Sequence, residues 1–301
     1  MAPVPIFVLG MQRSGTTFAA NLLAAHPAIA AVTAPQHQGV HESVFFSHFA
    51  RLHGDWQNPL AKARALAGFF KSDYFLLTGL NAADFAGPAT QDAAAFFREV
   101  MNRYAEKSAA RAWVEKSPHH TLLADQIAAA FPDARFVCLM RDPVDLLASR
   151  LWSYGRAPPS YPRRAATVLQ ACASCVFHSR FLLDFGKRFG TDRVFCIDYA
   201  ALKANPDAAL AGVLVGCGLQ PLAGLRPAFR PNSSFGSQTE RARALTKCDR
   251  IIARVATLAA WLMPFWALRQ MQKRKATHRP INFPHWVWTL AQNPNDQDQT
   301  Q

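Results

Sequence analysis

Residues 10–17 form a stretch whose residue types could hold an anion. They read Gly-Met-Gln-Arg-Ser-Gly-Thr-Thr and follow an apolar run, residues 4–9, that is typical of a buried strand. A helical pattern follows the stretch. A glycine-bounded turn between a strand and a helix start directs backbone N–H groups and the positive end of the helix to one point. The pattern therefore predicts a phosphate site on this turn.

The loop has the spacing of a Walker A motif, in which a lysine and a Ser or Thr follow the second glycine. Here Thr16 stands in the lysine position, and the basic residue is Arg13, inside the loop. An NTPase without that lysine loses its contact to the β- and γ-phosphates, whereas a guanidinium suits a smaller tetrahedral anion. A P-loop kinase that uses ATP is therefore a disfavoured alternative, since the sequence also has no clear Walker B aspartate.

Polar residues also end a second apolar run, residues 112–116, where Lys116 and Ser117 stand. Glu42 follows the first predicted strand–helix unit. The carboxyl ends of the strands in an open parallel sheet face the crevice where ligands bind. Glu42 is thus a candidate general base, and Lys116 is a fixed cation that could stabilise charge on a leaving group. Glu42 could also be a solvated loop carboxylate, and rival bases are His37, His41 and His48.

A further apolar run, residues 136–140, leads into Arg141. Asp142 is a good N-cap and Pro143 suits the first helical position, so a helix is predicted to begin there. Ser149 lies two turns along that helix, on roughly the same face as Asp142. Arg141 and Ser149 can therefore converge on one anion, because a guanidinium and a hydroxyl suit a phosphate monoester.

These motifs together resemble the sulfotransferases that use 3′-phosphoadenosine 5′-phosphosulfate (PAPS). The loop at 13–17, Arg-Ser-Gly-Thr-Thr, is similar to the 5′-phosphosulfate loop of bacterial and Golgi-type members. Residues 115–118, Glu-Lys-Ser-Pro, match a second signature, and Arg-Asp-Pro at 141–143 with Ser149 matches the 3′-phosphate motif. Residues 41–46 are similar to a Lys-Glu-x-x-Phe-Phe segment whose Glu is the catalytic base, although His41 replaces the Lys.

The resemblance implies a PAPS-dependent sulfotransferase that moves a sulfonyl group to a hydroxyl, or less readily to an amine. It implies catalytic roles for Glu42, Arg13 and Lys116, and no requirement for a metal. Tyr199 matches a family tyrosine near the nucleotide, and residues 230–235 are similar to a Thr-Ser-Phe stretch that contacts adenosine. The implied nucleotide site consists of Arg13, Ser14, Gly15, Thr16, Thr17, Arg141, Ser149, Tyr199, Ser233 and Phe235.

The length of 301 residues, half of them apolar, suffices for one α/β domain. We predict a P-loop-like fold with a central, mostly parallel sheet and helices on both faces. This single domain would span residues 1–292, with a helical insertion at about 49–107 and a helical C-terminal region at about 239–275. Residues 293–301 are predicted to form a disordered tail.

The net charge of +13 favours an anionic partner. Nucleic acid, a membrane surface and a polyanionic nucleotide all qualify, and the phosphate motifs favour the nucleotide over nucleic acid. The acceptor could be a small molecule, a saccharide or a lipid. Residues 251–268 are apolar but broken by Arg254 and Pro264, and basic residues follow them. This pattern favours a buried helix, with peripheral membrane contact as the alternative.

A non-enzymatic protein that binds anions or a membrane surface, with a degenerate nucleotide loop, is a third hypothesis. Among six cysteines only Cys172 and Cys175 have a C-x-x-C spacing, and no further pair completes a zinc set. We therefore expect reduced, mostly buried thiols. Because the first predicted strand starts at residue 4, a signal peptide is not expected, which favours a cytoplasmic location with membrane association left open.

Overall fold

The structure is a computed structural model that describes residues 2–37, 39–85, 92–151, 160–228, 245–277 and 285–292. Its strands are β1 Val4–Gly10, β2 Ile29–Ala31, β3 Thr33–Ala34, β4 Gly39–Val40, β5 Ala112–Lys116, β6 Arg135–Met140 and β7 Val194–Asp198. Five of them form a parallel sheet in the order β2-β5-β1-β6-β7, and β3 pairs with β4 in a small antiparallel sheet. The two strands beside central β1 are thus the ones that carry the other predicted phosphate and sulfonyl motifs.

Helices account for most of the remaining described chain. They are α1 Thr16–Ala24, α2 Ala50–Leu52, α3 Pro59–Phe70, α4 Asp73–Thr78, α5 Ala93–Lys107, α6 Ala124–Ala130, α7 Pro143–Leu151, α8 Arg163–Phe189, α9 Tyr199–Ala204, α10 Pro206–Gly216, α11 Lys247–Leu262, α12 Phe265–Thr277 and α13 Thr289–Gln292. A π-helical turn, Phe45–Phe49, precedes α2, and a 3₁₀ turn, Pro118–Leu123, precedes α6.

The side chains of β1 are apolar on both faces of the sheet, and helices cover both faces. Successive side chains of a strand point to opposite faces. Ile6 and Val8 pack with α1 and α10 on one face, and Phe7 and Leu9 pack with α5, α6 and α8 on the other. Such a strand, buried on both faces, reads as a continuous apolar run. The predicted α/β fold with helices on both faces is therefore confirmed.

The helices between residues 50 and 107 enclose an aromatic cluster that anchors the segment after Glu42. Phe45, in the π-helical turn, lies 5.0 Å from Phe69, 5.8 Å from Phe96 and 4.9 Å from Phe97 between ring centroids. All four rings are fully buried. Aromatic packing of this kind fixes the turn against the sheet, because each pair contributes beyond its buried area.

Helix α11 packs on α8 and α7 through one of its faces. Ala253 and Ala256 of α11 join a small apolar cluster with Leu147 of α7 and Val168 of α8. The axes of α11 and α12 meet at 98°. In the described part of the chain, α8 is long and apolar enough to cross a membrane. Helices α11 and α12 meet the same criterion only if the bent pair is treated as a single span. The α8 residues Phe181 and Phe185 lie in the main core, as in a core helix.

Four of the six cysteines are buried, and all six are free thiols. Burial raises the pKa of Cys172 to about 11 and that of Cys175 to about 12, so both stay protonated at neutral pH. The C-x-x-C pair therefore lacks the thiolate character of a redox motif.

The boundaries of the domain, the insertion and the tail stay predictions, and residues 239–244 and 293–301 lie outside the described residues.

Candidate active site

The predicted anion loop closes the carboxyl end of β1 and opens α1. Gly10 is fixed by Thr121, whose Oγ1 accepts a 2.9 Å hydrogen bond from the Gly10 N–H and donates one to the Gly10 carbonyl. Gly15 is the N-cap of α1 with φ of 102°, and no side chain caps the helix. The first N–H groups of a helix have no intrahelical partner, so they and the helix dipole favour an anion here.

Ser14 gives the loop an unused hydroxyl. Its side chain is buried, and among the residues that the structure describes its Oγ has no hydrogen-bond partner. A buried polar atom without a partner costs free energy unless a ligand or water satisfies it. Together with the N–H groups of Thr16 and Thr17 at the start of α1, this hydroxyl makes a small anion cradle.

Ser149 and Arg141 both contact Arg13 in the loop, and their binding of one anion stays a prediction. The Nε of Arg13 donates a 3.1 Å hydrogen bond to Ser149 Oγ on α7. Nη1 of Arg141 donates a 2.9 Å hydrogen bond to the Arg13 carbonyl. Two guanidinium groups and one hydroxyl thus stand together at the ends of β1 and β6, which is suitable chemistry for a phosphate.

Tyr199 supports this cluster from the end of β7. The Arg141 guanidinium carbon lies 4.4 Å from the centroid of the Tyr199 ring, a cation–π distance. The same ring covers Gly15, where a Cβ would lie 2.2 Å from Tyr199 Cδ2. Tyr199 is therefore packed between the loop and Arg141. Gly15 is required both for its backbone conformation and for this close approach.

Glu42 and Lys116 form an ion pair. Lys116 Nζ lies 2.8 Å from Glu42 Oε1, with 4% of the lysine and 21% of the glutamate side chain exposed. Glu42 therefore is not a solvated loop carboxylate. The pair stands at the end of β5, next to β1, so it lies at the same edge of the sheet as the anion loop. The fold thus brings together a carboxylate and a cation that are 74 positions apart in the sequence.

A buried network behind this pair was not evident from the sequence. Glu115 Oε1 accepts hydrogen bonds from Ser43 Oγ at 2.7 Å and from Ser117 Oγ at 2.5 Å, and Oε2 lies 3.0 Å from His120 Nδ1. Nε2 of His120 accepts from the Phe46 N–H, so the ring proton sits on Nδ1 and is donated to Glu115. Burial alone would raise the pKa of Glu115, but His120 and the two hydroxyls hold it below its ordinary value.

The network holds Val44 in a rare conformation. Val44 has φ of 44°, in the left-handed region that a β-branched residue adopts only at a cost. Its N–H donates a 3.0 Å hydrogen bond to Ser117 Oγ. Ser43 and Val44 are thereby tied to the end of β5 on both sides of Lys116. We conclude that Glu42, which immediately precedes Ser43, owes its position to these buried hydrogen bonds.

Gln12 and His119 also border the site, although the sequence did not predict either of them as a site residue. Gln12 Nε2 lies 3.0 Å from His119 Nε2, and Arg150 Nη1 donates a 3.3 Å hydrogen bond to Gln12 Oε1. The His119 pKa is lowered by loss of solvent around its ring, against an opposing effect of the Glu42 charge. The sequence indicated a role for His119 only through its position three residues after Lys116, in the same motif.

The structure describes the side chains of two of the rival bases, His41 and His48. His48 is buried, and burial is the main reason that its pKa falls to about 3. His41 is also buried, with its ring 6.3 Å from that of Tyr74. The third rival base, His37, has a side chain that lies outside the described part of the structure. Ser233 and Phe235 also lie outside the described residues, so the suggested adenosine contacts stay predictions. Among the residues that the structure describes, no three His, Cys, Asp or Glu side chains group as a metal site.

Comparison with known proteins identifies the family of the chain. The model of the sulfotransferase family matches residues 5–223, which include β1 from its second residue, β2 to β7 and all of the site described above. The chain belongs to the sulfotransferase family. It therefore belongs to a family of transferases whose fold and motifs serve sulfonyl transfer.

Two similar proteins show how far the sequence has diverged from those of known proteins. Nodulation protein NoeE of Sinorhizobium fredii is 25% identical over 240 residues, which make up 73% of this chain and 52% of that protein. The chain thus spans about half the length of this curated relative. The sulfotransferase domain of the Synechococcus PCC 7002 olefin synthase has a TM-score of 0.51 at 20% identity, covering 87% of this chain and 97% of that one. This likeness shows a shared fold.

Proposed function

We propose that this sulfotransferase uses PAPS as its sulfonyl donor and transfers the sulfonyl group to a hydroxyl of its acceptor. The single observation that carries the proposal is the convergence of Arg13, Arg141 and Ser149 next to the anion loop. Two phosphate-binding motifs at the ends of adjacent strands suit a nucleotide with phosphates at both its 5′ and 3′ positions.

The residues present fit such a nucleotide. The buried Ser14 hydroxyl and the N–H groups at the start of α1 would bind the phosphosulfate. Arg141 and Ser149 would bind the 3′-phosphate, and Arg13, which touches Ser149, would bridge the two phosphate groups. The buried Nε of Arg141 is a further donor without a partner among the described residues.

Glu42 and Lys116 would serve the transfer itself. The acceptor oxygen attacks the sulfur in line with the bridging oxygen of the phosphosulfate, and the bond from sulfur to that oxygen breaks. The acceptor proton passes to a Glu42 carboxylate oxygen. The leaving 5′-phosphate takes the electron pair of the broken bond, and Lys116, Arg13 and the loop N–H groups stabilise its growing charge.

Separate variants of Arg141 and Glu42 test these assignments. Arg141→Ala should weaken binding of 3′-phosphoadenosine 5′-phosphate by about tenfold or more in calorimetric titration, because it removes a charge-assisted phosphate contact of about 1.5–3 kcal/mol. Glu42→Gln keeps the size of the side chain and should bind this nucleotide as the wild type does. It should lower transfer of labelled sulfonyl by about a hundredfold or more, the range for a general base. The reverse pattern would overturn both roles.

The proposal specifies the reacting group of the acceptor, a hydroxyl, and leaves the class of molecule that carries it open. Candidate acceptors are a small molecule, a saccharide or a lipid that bears a hydroxyl. A panel with one member of each class, incubated with labelled PAPS, would identify the class by label transfer. The Glu42→Gln protein is the matched control, because any transfer that persists in it is independent of the proposed base.

A further inference from the structure

The outer side of α11 carries a stripe of large apolar side chains. Its members, each between 61 and 74% exposed, are Ile251, Val255, Leu258 and Leu262. They recur at intervals of four, three and four residues, which places them on one face of the helix. The stripe lies opposite the alanines that pack on the body. A folded protein rarely leaves a contiguous apolar face in water without a partner for it.

Basic residues and tryptophans border this stripe. Lys247, Arg250 and Arg254 are exposed and lie, at 100° per residue, along one flank of the stripe. Trp261 lies on the same flank with 47% of its surface exposed, and Trp266 at the start of α12 is 70% exposed. Tryptophan and basic side chains beside an apolar helix face are the features of a helix that lies in a membrane interface.

The bend between α11 and α12 is held rigidly. Nη1 of Arg180 on α8 donates hydrogen bonds to the carbonyl oxygens of Ala260 at 2.8 Å and Met263 at 2.6 Å. Arg269 of α12 forms ion pairs with Asp125 and Asp184 on the body. The apolar stripe therefore belongs to a fixed surface, and its exposure is a property of the packed fold.

Charge decides which partner suits this surface. Asp249 is the one acidic residue in α11, and it is buried in an ion pair with Arg164. The α12 sequence has no acidic residue. If two copies met through this face, their basic flanks would come together with no acidic residue of α11 or α12 to pair them. An anionic lipid surface offers both the apolar phase and the negative charge.

We propose that α11 and the start of α12 bind the surface of a membrane that contains anionic lipids. The apolar stripe would enter the boundary between headgroups and acyl chains, and the basic flank would contact anionic headgroups. This proposal does not depend on the reaction. Because α11 packs on α7, which carries Ser149, the nucleotide site would be tethered close to the bilayer.

Vesicle co-sedimentation without nucleotide tests the proposal. The full chain should sediment with phosphatidylcholine vesicles that contain about 30 mol% phosphatidylserine, and only weakly with phosphatidylcholine alone. The triple variant Lys247→Gln, Arg250→Gln, Arg254→Gln should bind the anionic vesicles about a hundredfold more weakly, at about fivefold per basic residue. Arg64→Gln, Lys71→Gln, Lys203→Gln removes three exposed charges elsewhere and should bind as the wild type does.

The apolar stripe has its own matched pair of variants. Leu258→Ser with Leu262→Ser should lose binding, whereas Leu60→Ser with Val215→Ser, which changes residues 72% and 62% exposed on other helices, should keep it. Equal binding by all variants, or no binding by the wild type, would overturn the proposal. Analytical ultracentrifugation gives the remaining outcome: a dimer that Leu258→Ser dissociates would identify a second copy as the occupant and would also overturn it.

Discussion

Gly15→Ala tests the anion loop at the point where it is most crowded. Gly15 has φ of 102°, and a residue with a Cβ adopts such a conformation at a cost of about 1–3 kcal/mol. The new Cβ would also lie 2.2 Å from Cδ2 and 2.4 Å from Cε2 of Tyr199. Overpacking of this kind costs about 1–3 kcal/mol more. We therefore expect the free energy of unfolding to fall by about 2–6 kcal/mol in total.

Urea denaturation of a double-mutant cycle separates the two costs. Gly54→Ala is the matched control, because Gly54 has φ of 111° and no atom within 4 Å of an added Cβ. It should show the backbone cost alone. In a Tyr199→Ala background, Gly15→Ala should likewise cost only about 1–3 kcal/mol. If Gly15→Ala is no worse than Gly54→Ala, or costs the same in both backgrounds, Tyr199 does not cover the loop.

Three further changes test the groups behind the site. Ser117→Ala should lower the free energy of unfolding by about 1–3 kcal/mol, because it leaves the Val44 N–H without its partner. It should also lower the rate of sulfonyl transfer while nucleotide binding is kept. An unchanged rate of transfer would refute the positioning role of Ser117. Glu115 has a lowered pKa in the fold, so its contribution to stability is present above pH 4.5 and is lost as the pH falls. Glu115→Gln should remove that acid loss, and an unaltered stability profile below pH 4.5 would contradict the network. His48 has a native pKa of about 3 against 6.5 in the unfolded chain, so between these pH values the unfolded state binds an additional proton. This lowers the free energy of unfolding as the pH falls, by up to about 1.4 kcal/mol per pH unit. His48→Gln should remove this contribution, and a pH profile identical to that of the wild type would contradict it.

The strands and motif positions were predictable because their signals are local. Buried strands in a parallel sheet read as apolar runs, and the predicted run 112–116 coincides with β5. The helix after Arg141 begins at Pro143, as its capping residues predict, with Asp142 accepting from the Val144 N–H at 2.8 Å. The carboxyl ends of parallel strands meet at one edge of the sheet, which explains why Arg141, after β6, lies beside the loop after β1.

The contacts behind the site could not be predicted, because they join distant residues without a periodic pattern. Ser43 and Glu115 are 72 positions apart, and Gly10 and Thr121 are 111 apart. Which polar residues become buried partners depends on strand register and on the aromatic packing of the insertion. The exposed stripe of α11 likewise depends on which face packs against α8. Its sequence favoured a buried helix, and only the tertiary contacts show that its large side chains point outward.

Thermal stabilisation by nucleotides tests the central claim most directly. A ligand that binds only the native state raises the midpoint of unfolding, and at equal ligand concentration the rise is larger for the ligand of higher affinity. We predict a larger rise with 3′-phosphoadenosine 5′-phosphate than with AMP, ADP or Mg-ATP at the same concentration, because Arg141 and Ser149 would contact the 3′-phosphate. Arg141→Ala should abolish this selectivity. A larger rise with Mg-ATP would favour a kinase, and no rise with any nucleotide would favour the non-enzymatic alternative; either result would contradict the proposed use of PAPS.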